Sequence, residues 1–244
     1  MRVFVTGVSG YAGFYAALRL AATGHSVTGL VRNPEQPRLN VLRVQQVTLL
    51  HGDVCQIETY RAELERSVAS KEDFYRSLEQ SAEIAPVNGR TLARVAQLTQ
   101  KTNQFNLTTR RYTEQQMEQM MTSPEWLVRS LKVTDRYADN GLVGVAIAKM
   151  EGEVCEIDTF LMSCRVIGRT VETALLSRLA ADARERGVRV LKGWFLPTKK
   201  NVPAREFYRE HGFEEAARTG EGGVLWQLDL SVKSIEVPEW IRIT

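Results

Sequence analysis

Residues Glu156–Ala174 read EIDTFLMSCRVIGRTVETA and decide the fold of the chain. The first half is rich in β-branched and aromatic residues, so it predicts a buried strand that ends near Ser163. A turn containing Gly168 follows, and the second half begins a long predicted helix. A strand that runs through a glycine turn into a helix presents unpaired backbone N–H groups and the positive end of the helix dipole, which together favour a bound phosphate. Cys164 stands at the start of this turn, so a thiol lies beside the predicted anion site.

Composition limits the possible functions. The chain has 244 residues, 43% of them hydrophobic, which is enough for one large or two small packed domains. A net charge of +3 without a basic stripe argues against nucleic-acid binding. Cys55, Cys155 and Cys164 neither complete a disulfide set nor fit a zinc-ligand spacing, so we expect no metal site and a reducing cytoplasm. No apolar run approaches the roughly 20 residues of a membrane span, and the N-terminus lacks a signal-peptide pattern, so no membrane role is expected.

The order of predicted elements divides the chain into three parts. Residues 1–55 predict a strand, a glycine turn, an Ala-rich helix and two further strands (2–6, 11–23, 26–31 and 44–50), as in the opening of a dinucleotide-binding fold. Residues 56–90 are charged and predict a helical linker. Residues 91–244 predict two helices, three antiparallel strands with turns at Asp139–Gly141 and Glu151–Gly152, and then helix, strand, helix and a closing hairpin. The fold class is therefore α/β, a mixed sheet with flanking helices preceded by a truncated Rossmann-type βαβ unit.

Two motifs in the third part resemble the GNAT acyltransferases. The run Arg165–Thr170 resembles their acetyl-CoA-binding turn, with a basic residue, two spacers and a glycine. The later run Asn201–Phe213 resembles their second signature, with Asn, Ala, Phe-Tyr and Gly-Phe at those spacings. Both motifs fall on the expected elements in the expected order.

A closer resemblance is to the C-terminal half of FkbH-like proteins, the glyceryl transferase/phosphatase family of polyketide assembly. Residues Gln97–Tyr112 and Asp158–Arg165 carry it, and the similarity runs from about Glu58 to the end. These proteins join a HAD-type phosphatase domain to a GNAT-like domain and load a glyceryl unit onto an acyl carrier protein. The phosphatase nucleophile motif Asp-x-Asp is absent from this chain, so the resemblance implies the transferase half and a separate phosphatase partner.

The resemblance implies roles for particular residues. The turn would bind the phosphate of CoA or of a carrier protein's phosphopantetheine arm, and the arm would lie as an extra strand in a slot between two splayed strands. Tyr208 would protonate a leaving thiolate, and Cys164 would carry the glyceryl unit as a thioester, with a buried, inert cysteine as the alternative. Asp158 and Glu156 share one face of the strand, so one of them could be a catalytic base, or both could be solvated strand positions. The implied cofactor residues are Arg165, Gly168, Arg169, Thr170 and Asn201. The implied substrate residues are Asn103, Asn106, Thr108 and Arg110, with a loop whose side chains only satisfy backbone groups as the alternative.

The N-terminal run Thr6–Gly13 resembles the fingerprint of extended short-chain dehydrogenases and NAD-dependent epimerases. That resemblance assigns the tight turn and pyrophosphate approach to Gly7 and Gly10, and close helix packing to Gly13. Arg32 would favour the 2′-phosphate of NADP, and Asp53 would lie near adenine. The family's catalytic Tyr-x-x-x-Lys pair is absent, so we expect a fragment of that fold.

Three functions remain open at this stage. The first is an acyltransferase that uses an acyl-CoA or an acyl carrier protein. The second is a non-catalytic module that binds phosphopantetheine or the carrier protein. The third is an NADP-dependent epimerase or reductase fragment.

Overall fold

The computed structural model describes residues 1–9, 11–51, 71–136 and 138–244. The chain divides into two compact units, Met1–Phe74 and Tyr75–Thr244. The predicted boundary at residue 55 and most of the predicted linker fall within 52–70, outside the described residues, so they stay predictions. No helix in the described part is long and apolar enough to cross a membrane.

The first unit is a small parallel sheet with a helix. Its elements are β1 (Arg2–Val5), α1 (Tyr11–Ala22), β2 (Ser26–Val31), α2 (Asn40–Val44) and β3 (Thr48–His51), with strand order β1-β2-β3. The predicted Rossmann-type βαβ unit is confirmed. The prediction of one strand over 44–50 is wrong, because Val44 ends α2 and the strand begins only at Thr48.

The second unit is a mixed sheet with helices on both faces, which confirms the predicted fold class. Helix α3 (Lys71–Ser77) spans the division between the two units. The elements that follow it are β4 (Gln80–Pro86), α4 (Leu92–Lys101), β5 (Phe105–Asn106), α5 (Glu114–Thr122), β6 (Trp126–Thr134), β7 (Asp139–Glu151), β8 (Val154–Met162), α6 (Val171–Glu185), β9 (Val190–Phe195), α7 (Phe207–Glu210), β10 (Glu214–Arg218), β11 (Val224–Asp229) and β12 (Ile241–Ile243). The strands have the order β10-β11-β9-β8-β7-β6-β4-β12, and β5 pairs with β8. The pairs β8–β9 and β4–β12 are parallel and the others antiparallel.

Two hydrophobic clusters sandwich this sheet. Helix α6 packs its buried residues, such as Leu175 and Leu179, on one face together with Ile157 and Phe160 of β8. Helices α4 and α5 cover the other face around Val95, Met117 and Leu161. A capping box at Thr113 and Gln116 fixes the start of α5, because each side chain pairs with the other's backbone N–H.

The structure corrects two further predictions. Residues 80–86, predicted to continue a helical linker, form β4 in the main sheet, where they pair with β6. The predicted turn at Asp139–Gly141 lies inside β7 instead, because register shifts in the β6–β7 ladder accommodate Gly141 at φ +65°.

Candidate functional site

A β-bulge in β8 organises the centre of the second unit. The ladder with β7 pairs Ile147 with Thr159 and Ala148 with Ile157, so Asp158 is an extra residue. The bulge brings the buried Asp158 carboxylate towards the segment between α4 and α5. Arg110 forms an ion pair with it, the Tyr112 hydroxyl donates to Oδ1 at 2.5 Å, and the Thr159 hydroxyl donates to the same oxygen at 2.9 Å. Burial, followed by the hydrogen bond to Asp158, raises the pKa of Tyr112 to about 12.

These bonds give Asp158 a structural part to play. Its carboxylate accepts from Arg110, Tyr112 and Thr159, and its backbone carbonyl accepts from the Thr108 hydroxyl at 2.8 Å. A carboxylate committed in this way anchors a segment rather than offering a vacant acceptor for a substrate proton.

Beyond Ile157 and Gly193, the last paired residues of β8 and β9, the two strands separate; we call this gap the fork. Residues Phe105–Thr108, here called the cis strand, lie in the fork. Phe105 and Asn106 pair with Met162 and Leu161. Leu107 then donates its N–H to the Phe160 carbonyl at 3.1 Å and accepts at its own carbonyl from the Leu196 N–H at 2.8 Å. The two strands do separate as expected, but the chain's own backbone fills the gap that was expected to be an open slot for a pantetheine arm.

The predicted substrate residues hold the cis strand in place. Asn106 is fully buried, donates to the Thr102 carbonyl at 3.2 Å and accepts from the Thr109 N–H at 2.9 Å. The Asn103 side chain accepts from Arg111 at 2.7 Å. Asn201, predicted to bind cofactor, is also fully buried and donates to the carbonyls of Asn106 and Leu196, both at 2.9 Å.

The turn between β8 and α6 places Cys164 and Arg165 on the surface. Both are exposed, and Arg165 donates to the Ser163 hydroxyl at 3.3 Å. Gly168 takes a positive φ of +77°, which the turn requires. Of the predicted phosphate residues, Arg165 alone has a guanidinium directed to solvent without an ion pair among the described residues, since Arg169 is paired with Asp135 at 2.6 Å. The hydroxyl of Thr170 accepts from the Trp240 indole at 2.7 Å.

Tyr208 lies at the closed end of the fork, away from Cys164. It is buried, and its hydroxyl makes no hydrogen bond with any described residue. The hydroxyl faces Gly193, where a Cβ would lie 2.0 Å from it, and burial raises the pKa of Tyr208. Gly193 pairs with Ile157, which stands five residues before the end of β8, or about 16 Å at about 3.3 Å per residue. The structure therefore does not bring Tyr208 and Cys164 into one site.

A cavity of about 440 Å³ opens at the closed end of the fork, on the face of the sheet opposite α6. Glu156 and Lys192 are register partners on β8 and β9, and their side chains make no ion pair or hydrogen bond with other described residues. Lys192 was not among the predicted site residues. The available sequence signal was a lysine next to the apolar Leu191 in a predicted strand, because neighbouring strand residues point to opposite faces. The cavity is lined by Arg110, Trp126, Lys149, Glu151, Val154, Glu156, Asp158 and Lys192.

In the first unit, Gly7 and Gly13 occupy positions that favour glycine, for different reasons. Gly7 has a positive φ of +67° in the turn after β1. A Cβ on Gly13 would lie 2.4 Å from the Gly7 carbonyl oxygen, so α1 can approach this turn so closely only with glycine. Arg32 is exposed just after β2. Gly10 and Asp53, the other predicted nucleotide-binding residues, lie outside the described residues.

Comparison with known proteins agrees with both architectures. Residues 93–213 match the acetyltransferase (GNAT) family, and residues 3–112 match the NAD-dependent epimerase/dehydratase family. Residues 93–213 form a GNAT-type domain. An epimerase-type segment of Rossmann character precedes it, and the residues shared by the two matches, 93–112, belong to the second unit in the structure. No curated protein matches the chain.

Solved structures resemble the GNAT domain only distantly. They include the ribosomal-protein-S18-alanine N-acetyltransferase from Escherichia coli, 17% identical with a TM-score of 0.46, over 61% of this chain and 94% of that chain. Ard1 from Thermoplasma volcanium is 16% identical with a TM-score of 0.48, over 61% and 97%. PaiA N-acetyltransferase from Thermoplasma acidophilum, in complex with coenzyme A, is 13% identical with a TM-score of 0.49, over 61% and 98%. Likenesses this distant carry no information about the substrate of this chain.

Proposed function

We propose that the GNAT domain is an acyltransferase that takes a glyceryl-type acyl unit from a CoA or carrier-protein thioester onto Cys164. The observation that carries the proposal is the position of this thiol, exposed at the end of β8 on the turn that leads into α6. A thioester can reach an exposed thiol from solvent while the cis strand fills the fork. The adjacent Arg165 supplies a cation for the pantetheine phosphate.

The proposed step is a thioester exchange. The Cys164 sulfur attacks the acyl carbonyl, the bond from that carbonyl to the pantetheine sulfur breaks, and the pantetheine leaves as a thiol after taking up the proton from Cys164. A second exchange passes the acyl unit to its acceptor. The chain lacks the phosphatase motif, so a separate phosphatase partner would remove the phosphate where the acyl unit arrives phosphorylated.

Cys155, near the start of β8, provides a matched control for Cys164. It is fully buried, and burial raises its pKa to about 12, so its thiolate is scarce at neutral pH. Of the two described cysteines, only Cys164 has the exposure that an acyl carrier needs.

Intact-protein mass spectrometry tests the proposal. The full chain is incubated with glyceryl carrier protein, glyceryl-CoA or acetyl-CoA, and the acyl adduct is counted. We expect one adduct on the natural sequence, the same adduct on a Cys55→Ser/Cys155→Ser variant, and none on Cys164→Ser. An adduct that survives in Cys164→Ser, or is absent from every protein with every donor, refutes the proposal.

The filled fork favours a second candidate, a non-catalytic module that binds a phosphopantetheine arm or the carrier protein without transfer. In that case Arg165 holds the phosphate and Cys164 is a surface thiol with no acyl adduct. Both candidates predict that Arg165→Met weakens the binding of carrier protein measured by isothermal titration. Only the acyltransferase predicts an acyl adduct on Cys164, so the adduct distinguishes the two.

We further propose that the epimerase-type segment keeps an NADP-binding turn without the chemistry of a reductase. Supporting this are the left-handed Gly7 and the close contact at Gly13, together with Arg32 after β2. Thermal-shift assays should show stabilisation by NADPH over NADH, with the preference lost in Arg32→Asp. Equal responses to both nucleotides, or none, would remove this proposal.

A further inference from the structure

We propose that the cis strand is a displaceable internal ligand, which occupies the fork in place of an acyl-pantetheine arm. Docking of Phe105–Thr108 and entry of the arm are then mutually exclusive. The inference rests on the proposed function only in taking a pantetheine thioester as the competing ligand. It does not depend on acylation of Cys164.

The competition follows from the backbone groups that line the fork. The Phe160 carbonyl accepts from the Leu107 N–H, and the Leu196 N–H donates to the Leu107 carbonyl. Asn201 donates a third bond to the Asn106 carbonyl. Pantetheine is an extended chain with two amides, so it offers the same donors and acceptors as a short peptide strand. Groups at the edge of a strand hold one partner at a time, and an arm needs the ones that the cis strand uses.

Several features of the cis strand suit it to leave. Its ladder with β8 is only two residues long. Beyond that ladder, single hydrogen bonds join its backbone to Phe160, Leu196 and Asn201. Thr109, which follows it directly, is held at φ +56°, a left-handed conformation that is strained for a β-branched residue. The hydrogen bond from the Thr108 hydroxyl to the Asp158 carbonyl at this end opposes release. Segments held by few backbone hydrogen bonds can open locally while the rest of a domain stays folded.

The buried side chains of Phe105 and Leu107 favour the docked state. Phe105 packs edge-on against Phe207, with ring centroids 5.5 Å apart. Only molecules with an open fork can bind an arm, so the apparent affinity for the arm falls in proportion to the fraction of molecules that are open. Interactions that loosen the cis strand raise this affinity, and a covalent lock abolishes it.

A reversible disulfide tests the proposal. Asn106 and Leu161 are register partners across the two strands, so Asn106→Cys/Leu161→Cys joins the cis strand to β8. The variant is made in the full chain with Cys55, Cys155 and Cys164 replaced by Ser, so a failure of Cys164 acylation cannot affect the result. A disulfide between Thr134→Cys and Asp139→Cys, at register partners of β6 and β7 away from the fork, is the matched control.

CoA binding is measured by isothermal titration before and after reduction. We expect the locked protein to bind at least about tenfold more weakly than the reduced protein, and the control to bind equally in both states. Equal affinity of the locked and reduced proteins overturns the proposal. So does the absence of CoA binding to the reduced protein and to the natural sequence at millimolar CoA, because the fork then holds only the chain itself.

Thr108→Val supplies a second test that needs no cross-link. It removes the hydroxyl bond to the Asp158 carbonyl while keeping the side-chain shape, so we expect about fivefold tighter CoA binding. Hydrogen exchange should show that the Leu107 amide loses protection when CoA is added. Unchanged or weaker binding by Thr108→Val, or a Leu107 amide that CoA leaves protected, contradicts the displacement.

Discussion

Replacing Asp158 by Asn tests whether this residue anchors the cis strand. The substitution preserves the shape of the side chain and an oxygen for Tyr112 and Thr159, but removes the negative charge opposite Arg110. It also turns an NH₂ group towards a guanidinium, which has no acceptor to offer.

The size of the effect follows from exposure. Asp158 is 10% exposed at its side chain, whereas Arg110 is 42% exposed. Breaking a fully buried ion pair costs about 3–5 kcal/mol, but a half-exposed guanidinium recovers water, so the cost falls towards that of one charged hydrogen bond. We expect the free energy of unfolding to fall by about 2 kcal/mol.

Urea denaturation followed by tryptophan fluorescence measures this loss in the second unit alone, because Trp126, Trp194, Trp226 and Trp240 all lie within it. Asp139→Asn is the control, since its carboxylate is 60% exposed and pairs with Lys132 at 3.3 Å, and we expect it to leave the free energy of unfolding almost unchanged. A loss in Asp158→Asn no larger than in the control would refute the anchoring role.

Three further predictions follow from buried polar groups. Burial and the bond to Asp158 raise the pKa of Tyr112 to about 12, above the usual value of about 10, so its contribution to stability is complete below about pH 10 and is lost as the pH rises through 12. Tyr112→Phe should flatten this alkaline loss in urea titrations, and an identical loss in both proteins would contradict the prediction. Burial lowers the pKa of His211, whose ring hydrogen-bonds Thr173 and Phe207. Its contribution to folding stability is therefore present above about pH 6.5, the usual pKa of histidine, and is lost as the pH falls through the lower pKa of the folded state. A ring pKa at or above 6.5 in an NMR titration of the folded protein would disprove this. Tyr208→Phe removes a buried hydroxyl without a partner among the described residues, so the free energy of unfolding should stay the same or rise by up to about 1 kcal/mol. A fall of more than about 1 kcal/mol would contradict this and reveal a hydrogen bond that the hydroxyl makes.

The sequence predicted the centre of the GNAT domain because its signals are local. Strand β8, the turn with Gly168, helix α6 and strand β9 follow one another along the chain with clear changes of hydrophobic period. The βαβ unit was predictable for the same reason, since Gly7 and Gly13 mark its turn. Strands β4, β5 and β12 were missed, because short or edge strands are recruited by partners far away in sequence.

The site was less predictable than the fold. Cys164 and Asp158 are six residues apart, and both were expected to serve one reaction. The structure separates them, because Asp158 lies at a bulge near the closed end of the fork and Cys164 lies beyond its open end. The polar run at Asn103–Arg110 looked like a substrate loop because its asparagines and threonines carry no hydrophobic period. Its bonds to β8, which only the three-dimensional arrangement reveals, make it part of the sheet instead.

The covalent role of Cys164 is tested most directly by a single-turnover chase. The acyl protein is isolated, freed of donor and mixed with holo carrier protein, and the acyl unit on Cys164 is followed by peptide mass. The account predicts that the acyl unit leaves Cys164 and appears on the carrier's pantetheine thiol in equal amount. An acyl group that stays on Cys164, or is lost only to water, would contradict it.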